Sequence, residues 1–350
     1  MTPRVTPRVT PRVTIVVPMY RCEATIEETL DSAQRQTFTD WELIAVDDGA
    51  PQARLLVGAY AARDSRIRLV GDGVNRGIAC ALNTGARAGR AALIAPLDAD
   101  DVWAPSKLAE QVAAIDAAGP ACGFVYCGHR RIDDNGAILY DAPLHVIDGW
   151  GYLPLVVYNF VGNGSAILMR RAAYEDVGGY LEHLTLTSSL DVLLQLSLAR
   201  RWRIACAPHY LVGYRLSPGS LSSRRLRSLG NRLGVLAMVA ERHPETPDAP
   251  LRARRAETLA QIGCLQVAAG APLSGLRALF AAARADAVMA ARGVGTHLRR
   301  TLRRWIPARR PKGPARAFSA ADAMQQPRPL AGWRLRQLRR AAAREAAFRA

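Results

Sequence analysis

The chain has 350 residues, of which 49% are hydrophobic, and a formal net charge of +17 at pH 7. This length and composition predict a globular protein with one domain of catalytic size and an appendage. The six cysteines form no CxxC pair, so they suit a reducing cytosol and argue against a disulfide framework.

The positive charge is concentrated towards the C-terminus. Residues 1–223 carry 21 basic and 23 acidic side chains, whereas residues 299–350 carry 15 and 2. The repeated Thr-Pro-Arg-Val of residues 1–12 lacks the apolar region of a secretory signal, which predicts a flexible leader. The longest uncharged stretch, Thr258–Leu276, is interrupted by glycine, proline and glutamine, which favours two amphipathic helices over a membrane span.

From residue 13 onward, strand and helix patterns alternate. The β-branched run Val13–Val17, stopped by Pro18, predicts a first strand, and apolar residues at helical spacing follow it. In chain order the pattern continues with a strand at 42–46, a helix around 52–62, a strand at 67–70, a helix over 78–88 and a strand at 91–95. This alternation predicts a mostly parallel, doubly wound sheet flanked by helices, in which ligands collect at the carboxyl ends of the strands.

The pattern is less regular in the middle of the chain. It predicts a helix from Pro105 to about Ala118 and a strand at 124–127, followed by a hairpin around Asp133–Gly136. A further strand over 162–169 and a largely buried helix over 190–198 complete this part. Asp191, the lone carboxylate of that helix, lies near its N-terminus, where helix capping alone would also explain an acidic residue.

An acidic cluster follows the fourth predicted strand. Asp98, Asp100 and Asp101 lie within four residues, directly after an apolar run. Unpaired carboxylates are costly to bury, so such a cluster usually has a cation or a set of hydrogen-bond donors beside it. Asp-x-Asp spacing lets one carboxylate reach a hard divalent ion while the other turns towards a neighbouring ligand. The alternative is that the three residues cap the helix that begins near Pro105.

Taken together, the motifs of residues 13–223 resemble family 2 of the nucleotide-sugar-dependent inverting glycosyltransferases, which have a GT-A fold. The resemblance depends on the order and spacing of several short motifs, since each of them alone is weak. In chain order they are Val16–Tyr20, Ser32–Ile44, Val46–Gly49, Asn75–Gly77, Ala81–Gly85, Leu97–Asp101, Gly178–Tyr180, Asp191, Tyr214-Arg215 and Pro218–Ser220.

The resemblance implies roles for four residues in binding the donor. Pro18 and Tyr20 would line the pocket of the nucleobase, with Tyr20 offering an aromatic surface. Asp48 matches the carboxylate that accepts a hydrogen bond from uracil or a related base. Asp98 matches the residue that faces the ribose and the sugar.

Two further carboxylates would carry the chemistry. Asp100 matches the ligand of Mn²⁺ or Mg²⁺, whose charge stabilises the leaving diphosphate. Asp191 matches the general base, which takes the proton of the acceptor hydroxyl.

The sequence departs from the family pattern in three places. Around Asp191, Leu190 replaces the usual acid and Ser197 stands where many members have arginine; Ser217 replaces a histidine; and Ala50 follows Gly49 in place of the common serine. The departures leave room for altered donor choice or weak activity.

The resemblance therefore implies a metal-dependent inverting glycosyltransferase that moves one sugar from a nucleotide diphosphate donor to a hydroxyl acceptor. The expected donor is a UDP-sugar, and the expected acceptor is a polysaccharide, a lipid-linked sugar or another glycan, in cell-surface polysaccharide synthesis. The alternative is a non-catalytic module of the same fold that binds a membrane or a partner through its basic tail. Binding of UDP without turnover of any nucleotide sugar would distinguish this module from the enzyme.

The residues after the catalytic domain predict helices and a basic end. Residues 224–305 are expected to form a helical appendage with an antiparallel helix pair, and residues 306–350 a basic, partly disordered tail that ends in a helix from Trp333. The amphipathic, arginine-rich stretch 298–306 suits an anionic lipid surface. The same composition would also suit nucleic acid, which we consider less favoured, or a solvated end of the chain. We expect a cytoplasmic protein, with peripheral contact to the inner face of the cytoplasmic membrane as an open possibility.

Overall fold

A single mixed sheet organises the computed structural model, which describes residues 10–182, 189–216, 225–305, 318 and 333–349. Within these residues the sheet has nine strands in the order β3-β2-β1-β4-β8-β6-β9-β5, with β7 paired to β6. The strands are β1 Val13–Met19, β2 Trp41–Asp47, β3 Ile67–Val70, β4 Leu93–Pro96, β5 Val102–Trp103, β6 Cys122–Ile132, β7 Ile138–Asp141, β8 Ile167–Arg170 and β9 Arg203–Arg215.

Helices cover both faces of the sheet and form the C-terminal part. Those of the first part are α1 Ile26–Gln34, α2 Pro51–Arg63, α3 Ile78–Ala88, α4 Lys107–Ala117, α5 Tyr152–Val157, α6 Arg171–Asp176 and α7 Leu190–Arg201. Those of the C-terminal part are α8 Arg225–Arg242, α9 Asp248–Ala268, α10 Pro272–Ala285, α11 Ala287–Trp305 and α12 Trp333–Arg349. The architecture confirms the expected α/β fold with a helical C-terminal extension.

The first four strands are parallel, as their alternation with helices predicts. β1 pairs with both β2 and β4, and its last residue, Met19, lies beside Asp47. β8 is antiparallel to β4 and to β6, so the sheet as a whole is mixed. The chain between β6 and β8 contains a hairpin and only the short α5, which does not form the long crossover that a parallel pair needs.

The alternation of side chains in β1 explains why both faces of the sheet are buried. Val13, Ile15 and Val17 pack in one cluster with α1, α2 and α4, whereas Val16 packs in the other with α3, α5 and α7. Because successive side chains of a strand point to opposite faces, this run of β-branched residues contributes to two cores at once.

The structure corrects the predicted strand at 162–169 and adds two strands. Residues Gly164–Ala166 form a 3-10 turn, and sheet pairing begins only at Ile167. The sequence pattern did not predict β5 or the long β9, which pairs with β6 through several register shifts. The predicted hairpin at Asp133–Gly136 is confirmed, with Gly136 at a φ of +74°.

The C-terminal helices pack against one another and against the sheet domain. The predicted helix pair is present as α9 and α10. The two helices approach closely because Gly263 has no side chain: a Cβ atom there would lie only 2.7 Å from the Gly275 carbonyl oxygen. The helix predicted from Trp333 is α12, which packs against α5 and buries Leu338 and Ala341 in the core. None of the helices within the described ranges has the length and apolar character needed to span a bilayer.

Candidate functional site

The loop after β4 places the acidic cluster at the carboxyl edge of the sheet, and hydrogen bonds from three sides fix its backbone. The hydroxyl groups of Thr25 and Thr29 on the α1 side both donate to the Ala99 carbonyl oxygen, at 2.8 and 3.0 Å. The Asp98 backbone N–H donates to the Ser165 hydroxyl at 3.0 Å. The position of these carboxylates is therefore determined by the fold.

Asp101 is the structural member of the cluster. It is fully buried, and its carboxylate accepts hydrogen bonds from the Arg215 backbone N–H at 3.1 Å and from the Asn163 side-chain amide at 3.3 Å. The capping alternative is wrong, because α4 begins after Ser106 without a side-chain cap. The Leu108 N–H of that helix instead donates to the Gln36 side chain at 2.9 Å.

Asp98 and Asp100 are half-buried, and their carboxylates are not neutralised by a cationic side chain within hydrogen-bonding distance among the described residues. Burial, together with the charges of Asp100 and Asp191, raises the pKa of Asp98 to about 7. Burial also raises the pKa of Asp100, and the positive charge of Arg215 opposes this increase. The pair thus concentrates negative charge that only a bound cation or proton would compensate.

Arg215 holds the acidic loop in place, a role that the sequence did not predict. Its buried guanidinium donates to the Asp100 carbonyl oxygen at 2.9 Å and to the Glu28 carboxylate at 2.5 Å. It also donates to the carbonyl oxygens of Asp133 and Asp134, at 2.8 and 2.9 Å, in the β6–β7 hairpin. One side chain therefore fastens three segments that are far apart in sequence.

Asp191 lies in the first turn of α7, where the sequence placed it. Burial raises the pKa of its carboxyl to about 6, although the backbone N–H groups of Val192 and Asp191 itself act in the opposite direction. Its charge contributes to the raised pKa of Asp98, which indicates that the two carboxylates lie in one electrostatic environment. The departing residue Leu190 is buried in the core cluster, whereas Ser217 lies outside the described residues.

Asp47 ends β2 and Asp48 follows it, and the two carboxylates have different roles. Asp47 accepts the N–H groups of Gly49 and Ala50 and pairs with Arg54 at 3.1 Å, which outweighs the effect of burial and lowers its pKa. Asp48 accepts the backbone N–H groups of Arg76 and Gly77, at 2.6 and 3.1 Å. Burial nevertheless raises the pKa of Asp48 above its ordinary value. Each Asp48 oxygen keeps a lone pair for a further donor.

An exposed aromatic ring borders this turn. Tyr20 is 46% exposed and follows β1, while Pro18 is half-buried within that strand. A Cβ atom on Gly49 would lie 3.7 Å from the Tyr20 ring and 3.4 Å from the Asn75 side chain, so both residues flank a bare stretch of backbone. Gly49 has a φ of +98°, which favours glycine. A planar ring of a ligand could therefore stack on Tyr20 and lie against the backbone of Gly49.

Tyr180 carries a buried hydroxyl for which the described residues supply no hydrogen-bond partner. Burial is the main cause of its raised pKa, with Tyr174, Asp191 and Asp98 adding to it. Asn83 fixes the Tyr180 backbone through both its N–H and its carbonyl oxygen, at 2.9 and 2.8 Å. Helix α3 thereby positions the backbone of Tyr180.

The donor set of Asp98 and Asp100 fits a divalent metal ion that is shared with a bound ligand. Two half-buried carboxylates with raised pKa values are hard oxygen donors whose charge such an ion would compensate. Within the described ranges, no group of three or more His, Cys, Asp or Glu side chains is arranged to hold a metal alone. The remaining ligands would therefore come from the bound molecule and from water.

A cavity of about 410 Å³ lies elsewhere, between α7 and α8. It is lined by both apolar and basic side chains, among them Leu193, Ser197, Arg200 and Arg242. None of Asp98, Asp100 and Asp191 lines it, so it is separate from the acidic site.

Comparison with known proteins identifies relatives of this chain. The family model "Glycosyl transferase family 2" matches residues 14–178. An uncharacterized glycosyltransferase, EpsJ of Bacillus subtilis, is 40% identical over 114 residues, which is 31% of this chain and 33% of EpsJ. The Escherichia coli protein WfgD, named a UDP-Glc:alpha-D-GlcNAc-diphosphoundecaprenol beta-1,3-glucosyltransferase, is 32% identical over 125 residues, 35% of this chain and 48% of WfgD. The chain thus spans less than half of either relative.

A solved structure shares the fold over most of the chain. The mannosyltransferase PcManGT from Pyrobaculum calidifontis, in complex with GDP-Man and Mn²⁺, superposes with a TM-score of 0.55 at 21% identity. The match covers 97% of this chain and 88% of that protein, so it includes the helical C-terminal extension as well as the sheet.

Proposed function

We propose that this chain is a member of glycosyl transferase family 2, whose model matches residues 14–178, and that it transfers one sugar, with inversion, from a nucleotide diphosphate sugar to a hydroxyl acceptor. The observation that carries the proposal is that the acidic loop and Asp191 meet at Gly164-Ser165: the Asp98 N–H donates to the Ser165 hydroxyl at 3.0 Å, and a Cβ atom on Gly164 would lie 4.0 Å from the Asp191 side chain. Perturbed carboxylates grouped in this way are typical of a site that binds a cation and moves a proton. The site residues keep the roles that the sequence predicted, and Asp98, which is expected to face the ribose and the sugar, is here also proposed to share the metal ion.

Asp191 is the proposed general base. Its pKa of about 6 leaves it ionised at neutral pH but close enough to that pH to accept a proton effectively. Attack by the acceptor oxygen on the anomeric carbon forms the new glycosidic bond, and the bond to the diphosphate breaks with its electron pair leaving on the diphosphate. The proton of the acceptor hydroxyl goes to an Asp191 carboxylate oxygen.

Asp100, together with Asp98, would hold a Mn²⁺ or Mg²⁺ ion. When bound, such an ion supplies positive charge that stabilises the leaving diphosphate. The Mn²⁺ and GDP-Man of PcManGT support this part of the proposal. Arg215 contributes by fixing the Asp100 backbone, which limits the movement of the acidic loop.

Pro18, Tyr20 and Asp48 are the proposed nucleobase contacts. The exposed Tyr20 ring offers a stacking surface, and the free lone pairs of Asp48 can accept an N–H of the base. The name of WfgD supports a UDP-sugar donor and a lipid-linked acceptor, whereas GDP-Man in PcManGT keeps a guanine nucleotide as an alternative. Contact with the inner face of the cytoplasmic membrane belongs to the same proposal.

The proposed domain boundaries follow the sequence. Residues 13–223 would form the catalytic domain and residues 224–305 the helical appendage, after a leader over residues 1–12. Within the last segment, 306–350, helix α12 packs on the catalytic domain, so we propose that this part stabilises the enzyme.

A binding and turnover experiment tests the proposal. Nucleotide sugars are screened by thermal shift with and without Mn²⁺, and those that stabilise the protein are assayed for transfer and for donor hydrolysis. We expect Asp100→Ala to abolish the Mn²⁺-dependent stabilisation and the turnover, with Asp116→Ala, an exposed aspartate on α4, as control. Tight binding of UDP without turnover of any donor would favour the non-catalytic module instead.

A further inference from the structure

Helix α10 presents its large apolar side chains to solvent. Leu273, Leu276 and Phe280 are 74%, 59% and 67% exposed. Their spacing of three and four residues places them in one stripe along the helix. An exposed apolar stripe of this kind on a surface helix indicates an interaction surface.

The fully buried residues of the same helix are small, and the larger Leu279 packs beside them, half-buried. Gly275 and Ala282 are buried against α9, and a Cβ atom on Gly275 would lie 2.5 Å from the Val267 side chain. An ordinary amphipathic helix turns its large apolar side chains towards the core and its small or polar ones outward. In α10 three of the large apolar side chains point outward instead, so packing among the described residues does not account for Leu276 and Phe280.

Arginines lie within the apolar stripe. Arg277 and Arg284 are exposed and continue the same face, and the Arg284 guanidinium lies 6.0 Å from the Phe280 ring centre. Over the hairpin of α10 and α11, Pro272–Trp305, the chain carries seven arginines and a single acidic residue, Asp286. Apolar side chains flanked by arginines are typical of helices that lie in the interface of an anionic bilayer.

We propose that this stripe, formed by Leu273, Leu276, Arg277, Phe280 and Arg284, docks the protein on an anionic lipid surface. A second copy of the chain is a poorer occupant, because a two-fold contact along the stripe would bring like-charged arginines together. Nucleic acid would use the arginines but not the aliphatic side chains. The inference refines the membrane contact of the proposed function by assigning it to α10, outside the 298–306 stretch that the sequence singled out.

Vesicle binding tests the assignment. The full chain, without donor or acceptor, is co-sedimented with vesicles of phosphatidylcholine alone and of phosphatidylcholine with phosphatidylglycerol. We expect partition onto the anionic vesicles that weakens with added salt. Phe280→Glu should reduce it on the order of ten-fold or more, since the change removes apolar burial and adds a repelled charge. Arg277→Gln should reduce it roughly five-fold.

The matched control is Leu55→Glu, a change at a side chain on α2 that is 77% exposed and outside the proposed stripe. It should bind vesicles as the unmodified chain does. Three results would overturn the proposal: unchanged binding of Phe280→Glu, equal binding to neutral vesicles, or a dimer that this variant dissociates. If the chain bound duplex DNA but no vesicles, and Phe280→Glu bound DNA as strongly as the unmodified chain, the arginines would serve nucleic-acid binding and the proposal would be wrong. Because no substrate is present, these outcomes do not depend on whether the chain transfers sugar.

Discussion

Replacement of Asp191 by asparagine removes the proposed base and keeps the size of the side chain. The structure predicts what is lost, because burial raises the pKa of this carboxyl to about 6. At pH 7 about nine in ten molecules would carry the ionised base, and at pH 5 about one in ten. Loss of a positioned general base typically lowers the rate by about 10²–10⁴-fold, so we expect a loss in that range for Asp191→Asn.

The assay measures kcat/KM for the acceptor at saturating donor and Mn²⁺, between pH 5 and 8. In the unmodified protein, kcat/KM should fall about ten-fold for each pH unit below about 6, because protonated Asp191 cannot accept the proton. The residual activity of Asp191→Asn should lack this acidic limb. Glu241→Gln, which neutralises an exposed carboxylate on α8, should leave both the rate and the profile unchanged.

Thermal unfolding separates a catalytic effect from a structural one. The pKa of Asp191 is higher in the folded protein than its ordinary value of 3.8, so its ionisation opposes folding above that range. Asp191→Asn should therefore unfold at the same or a higher temperature at pH 7, and the difference should vanish as the pH falls towards 4. A variant that keeps more than about a tenth of the activity, or a wild-type rate that is flat between pH 6 and 5, would refute the assignment.

Three further predictions concern the metal, the acidic loop and the C-terminal helix. EDTA should abolish transfer and added Mn²⁺ should restore it, but Mn²⁺ should not restore Asp100→Asn; turnover in EDTA would contradict a metal requirement. Arg215→Met should lower the free energy of unfolding in urea by about 3–5 kcal/mol and reduce turnover, because its buried acceptors lose their donor. Glu345→Ala should lower the free energy of unfolding by about 1–3 kcal/mol, since Glu345 accepts the Leu153 N–H at 2.5 Å and pairs with Arg349. Arg344→Ala, an exposed neighbour, should leave stability unchanged.

The sequence predicted those parts of the fold whose signals are local. The β-branched run of β1 and the alternation of strands with helices sufficed to place Pro18, Asp48 and Asp98 near one edge of a parallel sheet. This worked because each strand is a continuous apolar run, and parallel strands bring their carboxyl ends to the same edge. The order of the acidic motifs was equally readable, and the family match supports it.

Elements without a local pattern were not predictable. β5 has only two residues, and β9 contains Pro208 and shifts its register against β6, so neither gives a regular alternation. The hydrogen bond from Arg215 to the Asp100 carbonyl joins residues 115 positions apart. The docking of α12 depends on a few buried side chains within an arginine-rich helix, whose composition indicated a solvated end. In each case the interacting residues are brought together only by the fold, and no local spacing in the sequence predicts the contact.

The direction of the pKa shifts, taken together with the hydrogen bonds that each carboxylate accepts, separates structural from functional carboxylates at this site. Asp47 has a lowered pKa because its turn N–H groups and Arg54 favour the ionised form, so its ionisation stabilises the fold. Asp98, Asp100 and Asp191 have raised pKa values, so their ionised forms oppose folding at neutral pH. Asp101 shares the raised pKa, but its carboxylate accepts hydrogen bonds from Arg215 and Asn163. For Asp100 and Asp191 the charge of Arg215 and nearby backbone N–H groups offset burial only in part, and Asp98 has no such offset; a cation and an acceptor proton would supply the rest.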